Sequence, residues 1–95
     1  MEQTPIPLSM KQIQEFLEKA EGWEIEEGKL EKEFKFLDFK SAKEFIDKIS
    51  VLAEQEEHHP DIFWWFIKVK LVLFTHRINS ISQLDTNLAG KIDKL

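Results

Sequence analysis

Trp23-Glu24-Ile25-Glu26-Glu27-Gly28-Lys29-Leu30-Glu31-Lys32-Glu33-Phe34-Lys35-Phe36 is the stretch whose reading decides the fold. Trp23 and Ile25 alternate with Glu24 and Glu26, Gly28 supplies a turn, and Leu30, Phe34 and Phe36 alternate with Glu31, Glu33 and Lys35. Successive side chains of a strand point to opposite faces, so a period of two gathers the apolar residues on one side. The stretch therefore predicts a hairpin with one charged face and one apolar face, the latter interrupted by Lys32.

On its N-terminal side, Ser9-Met10-Lys11-Gln12 has the form of a capping box, and Ile13, Phe16, Leu17 and Ala20 follow at helical spacing up to Gly22. Residues 1–8 hold two of the three prolines and read as an extended arm. On the C-terminal side, Ser41-Ala42-Lys43-Glu44 is read as a second capping box. It opens the longest helical pattern: Ala42, Phe45, Ile46, Ile49, Leu52 and Ala53. That helix is expected to end by His58, because Pro60 pushes His59 toward extended backbone. The segment Ile62 to Thr75 is rich in aromatic and β-branched residues and long enough for two strands, with a break placed near Ile67-Lys68. Arg77-Ile78-Asn79-Ser80 is expected as loop. Ser82 caps a last helix with the apolar seam Leu84, Leu88, Ile92 and Leu95. The element order is α-β-β-α-β-β-α, and the expected class is α+β, a four-stranded antiparallel sheet with helices packed on one face.

Ninety-five residues with 42% hydrophobic content suit one domain over 1–95 with a small core. The formal net charge of -5 argues against a nucleic-acid backbone binder, which needs a basic stripe, and against an anionic membrane surface. The longest apolar run, Ile62 to Ile67, is far short of the roughly 18 residues of a spanning helix. Without cysteine there is no disulfide or thiolate metal site, and the N-terminus lacks the regions of a secretion signal. The expected location is cytoplasmic.

All three histidines fall between positions 58 and 76. Histidine is the side chain suited to both giving and taking a proton near neutrality. His58 and His59 sit where the long helix stops, at the negative end of its dipole and within a turn of Glu54, Glu56 and Glu57. Neighbouring residues point in different directions, so the pair is expected to take different roles rather than share a metal. His76 ends the last strand, and its convergence on the pair requires that strand to lie beside the exit of the long helix. The blander readings are a helix cap for His58, a loop residue for His59 and a strand end for His76. For Asp85 the bland reading is that Ser82-x-x-Asp85 resembles a capping box, which would place it in the first helical turn, where a carboxylate is favoured anyway. Trp64 and Trp65 read as core or interface, and Trp23 as core.

The run Glu57-His58-His59-Pro60-Asp61, with Phe63, Lys68-Val69, Thr75-His76 and Asp85-x-Asn87-Leu88-Ala89, resembles the pterin-4a-carbinolamine dehydratase family over roughly residues 9–92. Gly22-Trp23 and Phe34-x-Phe36-x-x-Phe39 add support. The resemblance implies dehydration of a 4a-hydroxytetrahydropterin to the quinonoid dihydropterin, in recycling of tetrahydrobiopterin-type cofactors. It also implies assembly as a homodimer or homotetramer. By motif it implies catalytic roles for His58, His59 and His76, and substrate-binding roles for Glu54, Pro60 and Asp85. Neither a metal nor a redox cofactor is implied. One departure is Trp64-Trp65-Phe66-Ile67, apolar where family members carry polar turn residues; an exposed apolar tip there would be an assembly surface.

Two alternatives follow. One is a non-catalytic oligomeric interaction module, for which the family offers a precedent in a dimerisation cofactor of a homeodomain transcription factor. The other is a metal site on His58, His76 and a carboxylate, which the absence of an i, i+4 ligand pair disfavours.

Overall fold

The computed structural model describes residues 4–95. Its elements run α1 (Met10–Lys19), β1 (Glu24–Glu26), β2 (Lys29–Lys35), α2 (Phe39–Glu56), β3 (Asp61–Trp65), β4 (Lys68–Leu73) and α3 (Gln83–Ile92). The four strands form one antiparallel sheet in the order β1-β2-β4-β3. The predicted class and element order both hold.

The hairpin forms as its alternation dictates. Ile25 pairs with Leu30, and the turn residues Glu27 and Gly28 have φ of 51° and 76°, the left-handed pair that a two-residue hairpin requires. The apolar face of the sheet supplies Leu30, Val69, Leu71 and Leu73 to the core, and the helices cover it with Ile13, Ala42, Ile49, Leu88 and Ile92. Lys32 does point to this face, opposite Leu71. Its ammonium reaches Asp93 Oδ1 at 2.9 Å and lies over the rings of Trp23 and Phe34. Asp93 Oδ2 accepts from Trp23 Nε1 at 2.9 Å, so a lysine on the apolar face ties the end of α3 to the first hairpin. Gly22 beneath it has φ of 89°, a backbone conformation that favours glycine, and a Cβ there would also press on the flexible end of the Lys32 side chain at 2.9 Å.

Four readings need correction. The N-cap of α2 is Asp38, whose carboxylate accepts from Ser41 N at 2.8 Å, so Ser41 lies inside the helix and not at its start. Aspartate competes well as a cap, and it lies three residues earlier. The expected loop after His76 begins as a 3-10 turn, His76–Ile78, closed by a bridge between Thr75 and Ser80. Leu95 lies beyond α3 and is half exposed. For Trp64 and Trp65, read as core or interface, the core half falls away, because every residue of β3 is exposed at this edge of the sheet.

Of the extended arm, residues 1–3 lie outside the described residues. From Thr4 onward it lies along the start of α3: Leu8 N donates to Ile81 O at 3.0 Å, and Gln83 bonds both Ile6 N and Thr4 O. Among the described residues no helix is long and apolar enough to cross a membrane.

Candidate active site

The end of α2 decides where the histidine pair goes. Glu57 takes the left-handed conformation (φ 52°, ψ 36°), and the N–H groups of Glu57 and His58 return to the carbonyls of Glu54 and Ala53. This reversal halts the helix before the proline and turns His58 toward Asp85 on α3. His59 points elsewhere, toward solvent, where it pairs with Glu54 one turn back on α2. The two neighbours therefore have separate partners, as their adjacency predicted.

His58 Nε2 meets Asp85 Oδ1 at 2.5 Å, with the imidazole 13% exposed and the carboxylate fully buried. Asp85 is held by the capping box at the start of α3: Ser82 N donates to its Oδ2 at 2.9 Å. Thr75 Oγ1 donates to the same oxygen at 2.8 Å and lies 2.7 Å from Ser82 Oγ. A buried carboxylate is costly unless hydrogen-bonded, and this one has a partner at each oxygen. Asp85, expected to bind substrate, is fully buried and set against His58.

His76 begins the 3-10 turn and is exposed, its ring edge-on to Phe74 at 5.1 Å. Among the described residues no hydrogen bond joins it to His58 or His59. It is linked to the cluster through the chain, since its neighbour Thr75 touches Asp85. Pro60, half-buried, separates the pair from β3. The structure thus joins His58 to Asp85 and His59 to Glu54, and leaves His76 exposed and joined to the cluster only through Thr75.

Two polar members of the cluster were not singled out from sequence. Thr75 read as a strand end and Ser82 as a helix cap. The signal that would have found them is the coincidence of a capping box with a β-branched hydroxyl residue next to a histidine. An open depression of about 270 Å³ on the outer sheet face, lined by residues including Glu31, Asp61, Phe63 and Lys70, contains none of the histidines.

What the histidine arrangement can do is proton transfer. His58 is backed by a buried acceptor that fixes its ring, an arrangement that leaves the other ring nitrogen for substrate. His59 and Glu54 offer polar contacts from the exposed flank.

Comparison with known proteins places this geometry in context. A family model described as pterin 4 alpha carbinolamine dehydratase matches residues 6–95. A protein of Sulfurisphaera tokodaii, provisionally named a pterin-4-alpha-carbinolamine dehydratase, is 42% identical over 88 residues, covering 93% of this chain and 95% of its own. One of Alkaliphilus metalliredigens with the same provisional name is 43% identical, covering 93% of this chain and 81% of its own. Among solved structures, a transcriptional coactivator/pterin dehydratase from Brucella melitensis superposes with a TM-score of 0.89 at 31% identity, over 94% of this chain and 97% of that one. A pterin dehydratase-like protein described as a RuBisCO assembly factor of the alpha-carboxysome has a TM-score of 0.63 at 20% identity, over 76% of this chain and 83% of that one. That last likeness speaks for the fold alone.

Proposed function

We propose a dehydration for this chain, which belongs to the pterin 4 alpha carbinolamine dehydratase family: loss of water from a 4a-hydroxytetrahydropterin to give the quinonoid dihydropterin. The observation that carries the reading is His58, mostly enclosed and set against the buried carboxylate of Asp85.

Elimination from a carbinolamine breaks the carbon–oxygen bond and forms a carbon–nitrogen double bond. The hydroxyl leaves with a delivered proton as water, and the neighbouring ring nitrogen gives up its proton. No electrons are transferred to a cofactor, so acids and bases of neutral-range strength suffice, contributing about 10²- to 10⁴-fold. In this assignment His58 and His76 exchange protons at the leaving hydroxyl from two sides. His59, steadied by Glu54, binds and orients the pterin, and Pro60 shapes the same flank. Asp85 acts through His58 and does not touch the pterin. The test is the decay of 4a-hydroxytetrahydropterin with His58→Ala and His76→Ala proteins. Each is expected to lose most of the catalysed rate, and wild-type rates in either would remove that residue from the chemistry.

A second reading has its own observation. Strand β3 is a sheet edge with Phe63, Trp64 and Trp65 exposed, and the tip residue Phe66 is 70% exposed. Apolar edges of this kind attract another strand, which supports assembly with a second copy of the chain and a role in binding a protein partner. The two readings are compatible, since the exposed aromatic tip, Trp65-Phe66, lies at the opposite end of β3 from the histidine pair, which precedes its first residue, Asp61.

A further inference from the structure

Thr75 lies just beyond the end of β4 yet is 4% exposed, and its hydroxyl stands between two buried oxygens. The direction of each hydrogen bond there follows from the number of protons available. A hydroxyl has one proton to give, and a carboxylate oxygen only accepts. Thr75 therefore donates to Asp85 Oδ2, at 2.8 Å. With the Thr75 proton given to Asp85, the Ser82 hydroxyl donates to Thr75 Oγ1 at 2.7 Å, while Ser82 Oγ accepts from Leu84 N at 3.1 Å. Ser82 N completes the environment of Oδ2 at 2.9 Å. The donors run one way, from the cap of α3 through Thr75 into Asp85. The carboxylate then has Oδ1 for His58 Nε2, at 2.5 Å.

We propose that Thr75 is a positioning residue for the proton transfer at His58. Its hydroxyl, oriented by Ser82, holds the Asp85 carboxylate as an acceptor facing the ring. That fixes the His58 proton on Nε2 and leaves Nδ1 for the pterin. The backbone keeps the hydroxyl in place: Thr75 N donates to Ser80 O at 3.0 Å, Thr75 O accepts from Ser80 N at 3.3 Å, and a β-branched side chain has few rotamers. This inference rests on the dehydratase reading for its kinetic consequence, but not for its structural one.

Thr75→Val keeps the shape and removes the hydroxyl. With that variant, kcat for 4a-hydroxytetrahydropterin decay is expected to fall about tenfold, a part of the full acid–base contribution, with KM unchanged. The nitrogen-15 resonances of the His58 ring are expected to change from the Nε2-protonated tautomer alone to a mixture, and Thr75→Ser is expected to restore both readouts. Should Thr75→Val fail to fold, Ser82→Gly carries the same test: glycine is a tolerable N-cap, and this change removes the donor that orients Thr75. An unchanged His58 tautomer in the folded variant would overturn the proposal even if wild-type protein is an active dehydratase. A tautomer change in a protein without dehydratase activity would uphold the positioning role and overturn the function instead. A rise in KM with kcat retained would also overturn it, because that places Thr75 in binding.

Discussion

At the scale of single residues, the site separates two histidines that the sequence places side by side. His58 turns inward to a buried carboxylate, and His59 turns outward to Glu54 on the helix surface. Their contributions should separate in the same way. In the proposed assignment, replacing His59 by Ala removes a contact to the pterin and leaves the proton path intact. KM is expected to rise about tenfold, the equivalent of one hydrogen bond near 1.4 kcal/mol, with kcat within about threefold of wild type in steady-state kinetics. A collapse of kcat at unchanged KM would assign His59 to the chemistry. The histidines themselves were legible from sequence, because their type and clustering are visible without a fold. Thr75 and Ser82 were not. Their importance comes from burial beside Asp85, which depends on how β4 and α3 meet.

At the scale of elements, period and capping predicted most boundaries, and local competition produced the misses. Asp38 displaced Ser41 as the cap of α2 because an aspartate in extended backbone was available three residues earlier. Its carboxyl is held below the ordinary value of 3.8, chiefly by the hydrogen bond from the Ser41 backbone N–H and then by the Ser41 side chain. A carboxyl lowered in the folded state stabilises above its unfolded value, and that stabilisation is lost as pH falls through the lowered folded value. Asn is an equally good cap that does not titrate here. Urea unfolding of Asp38→Asn and wild type is therefore expected to show the wild type losing its advantage as pH falls from above 3.8 through the lowered folded value. A constant difference across that range would contradict the capping account. The turn between β3 and β4 was the least legible. Phe66 has φ of 54°, a conformation in which a bulky side chain is costly, and no glycine or asparagine marks it. Trp64 Nε1 donates to Phe66 O at 2.9 Å, a side-chain bond that holds the turn and that no turn rule anticipates.

At the scale of the whole molecule, the chain exposes more surface than its mass calls for. Its 6390 Å² compares with roughly 5700 Å² for a typical monomer of 11.3 kDa. The aromatic residues of β3 account for part of that surface, and a stable interface removes about 800 Å² from each partner. The protein is therefore expected to sediment as a dimer or larger, and Phe63→Glu with Trp65→Lys to shift it toward monomer. An unchanged mass in the double variant would move the interface elsewhere. The overall architecture was legible because alternation and helical spacing are properties of the chain alone. The bare edge was not, since exposure of β3 follows from strand order and from how far the helices reach across the sheet. Whether the assembled fold dehydrates a pterin is read from stopped-flow decay of 4a-hydroxytetrahydropterin. Wild-type protein is predicted to accelerate the decay and the His58→Ala, His76→Ala double variant to leave it near the uncatalysed rate; no acceleration by the wild type would contradict the account.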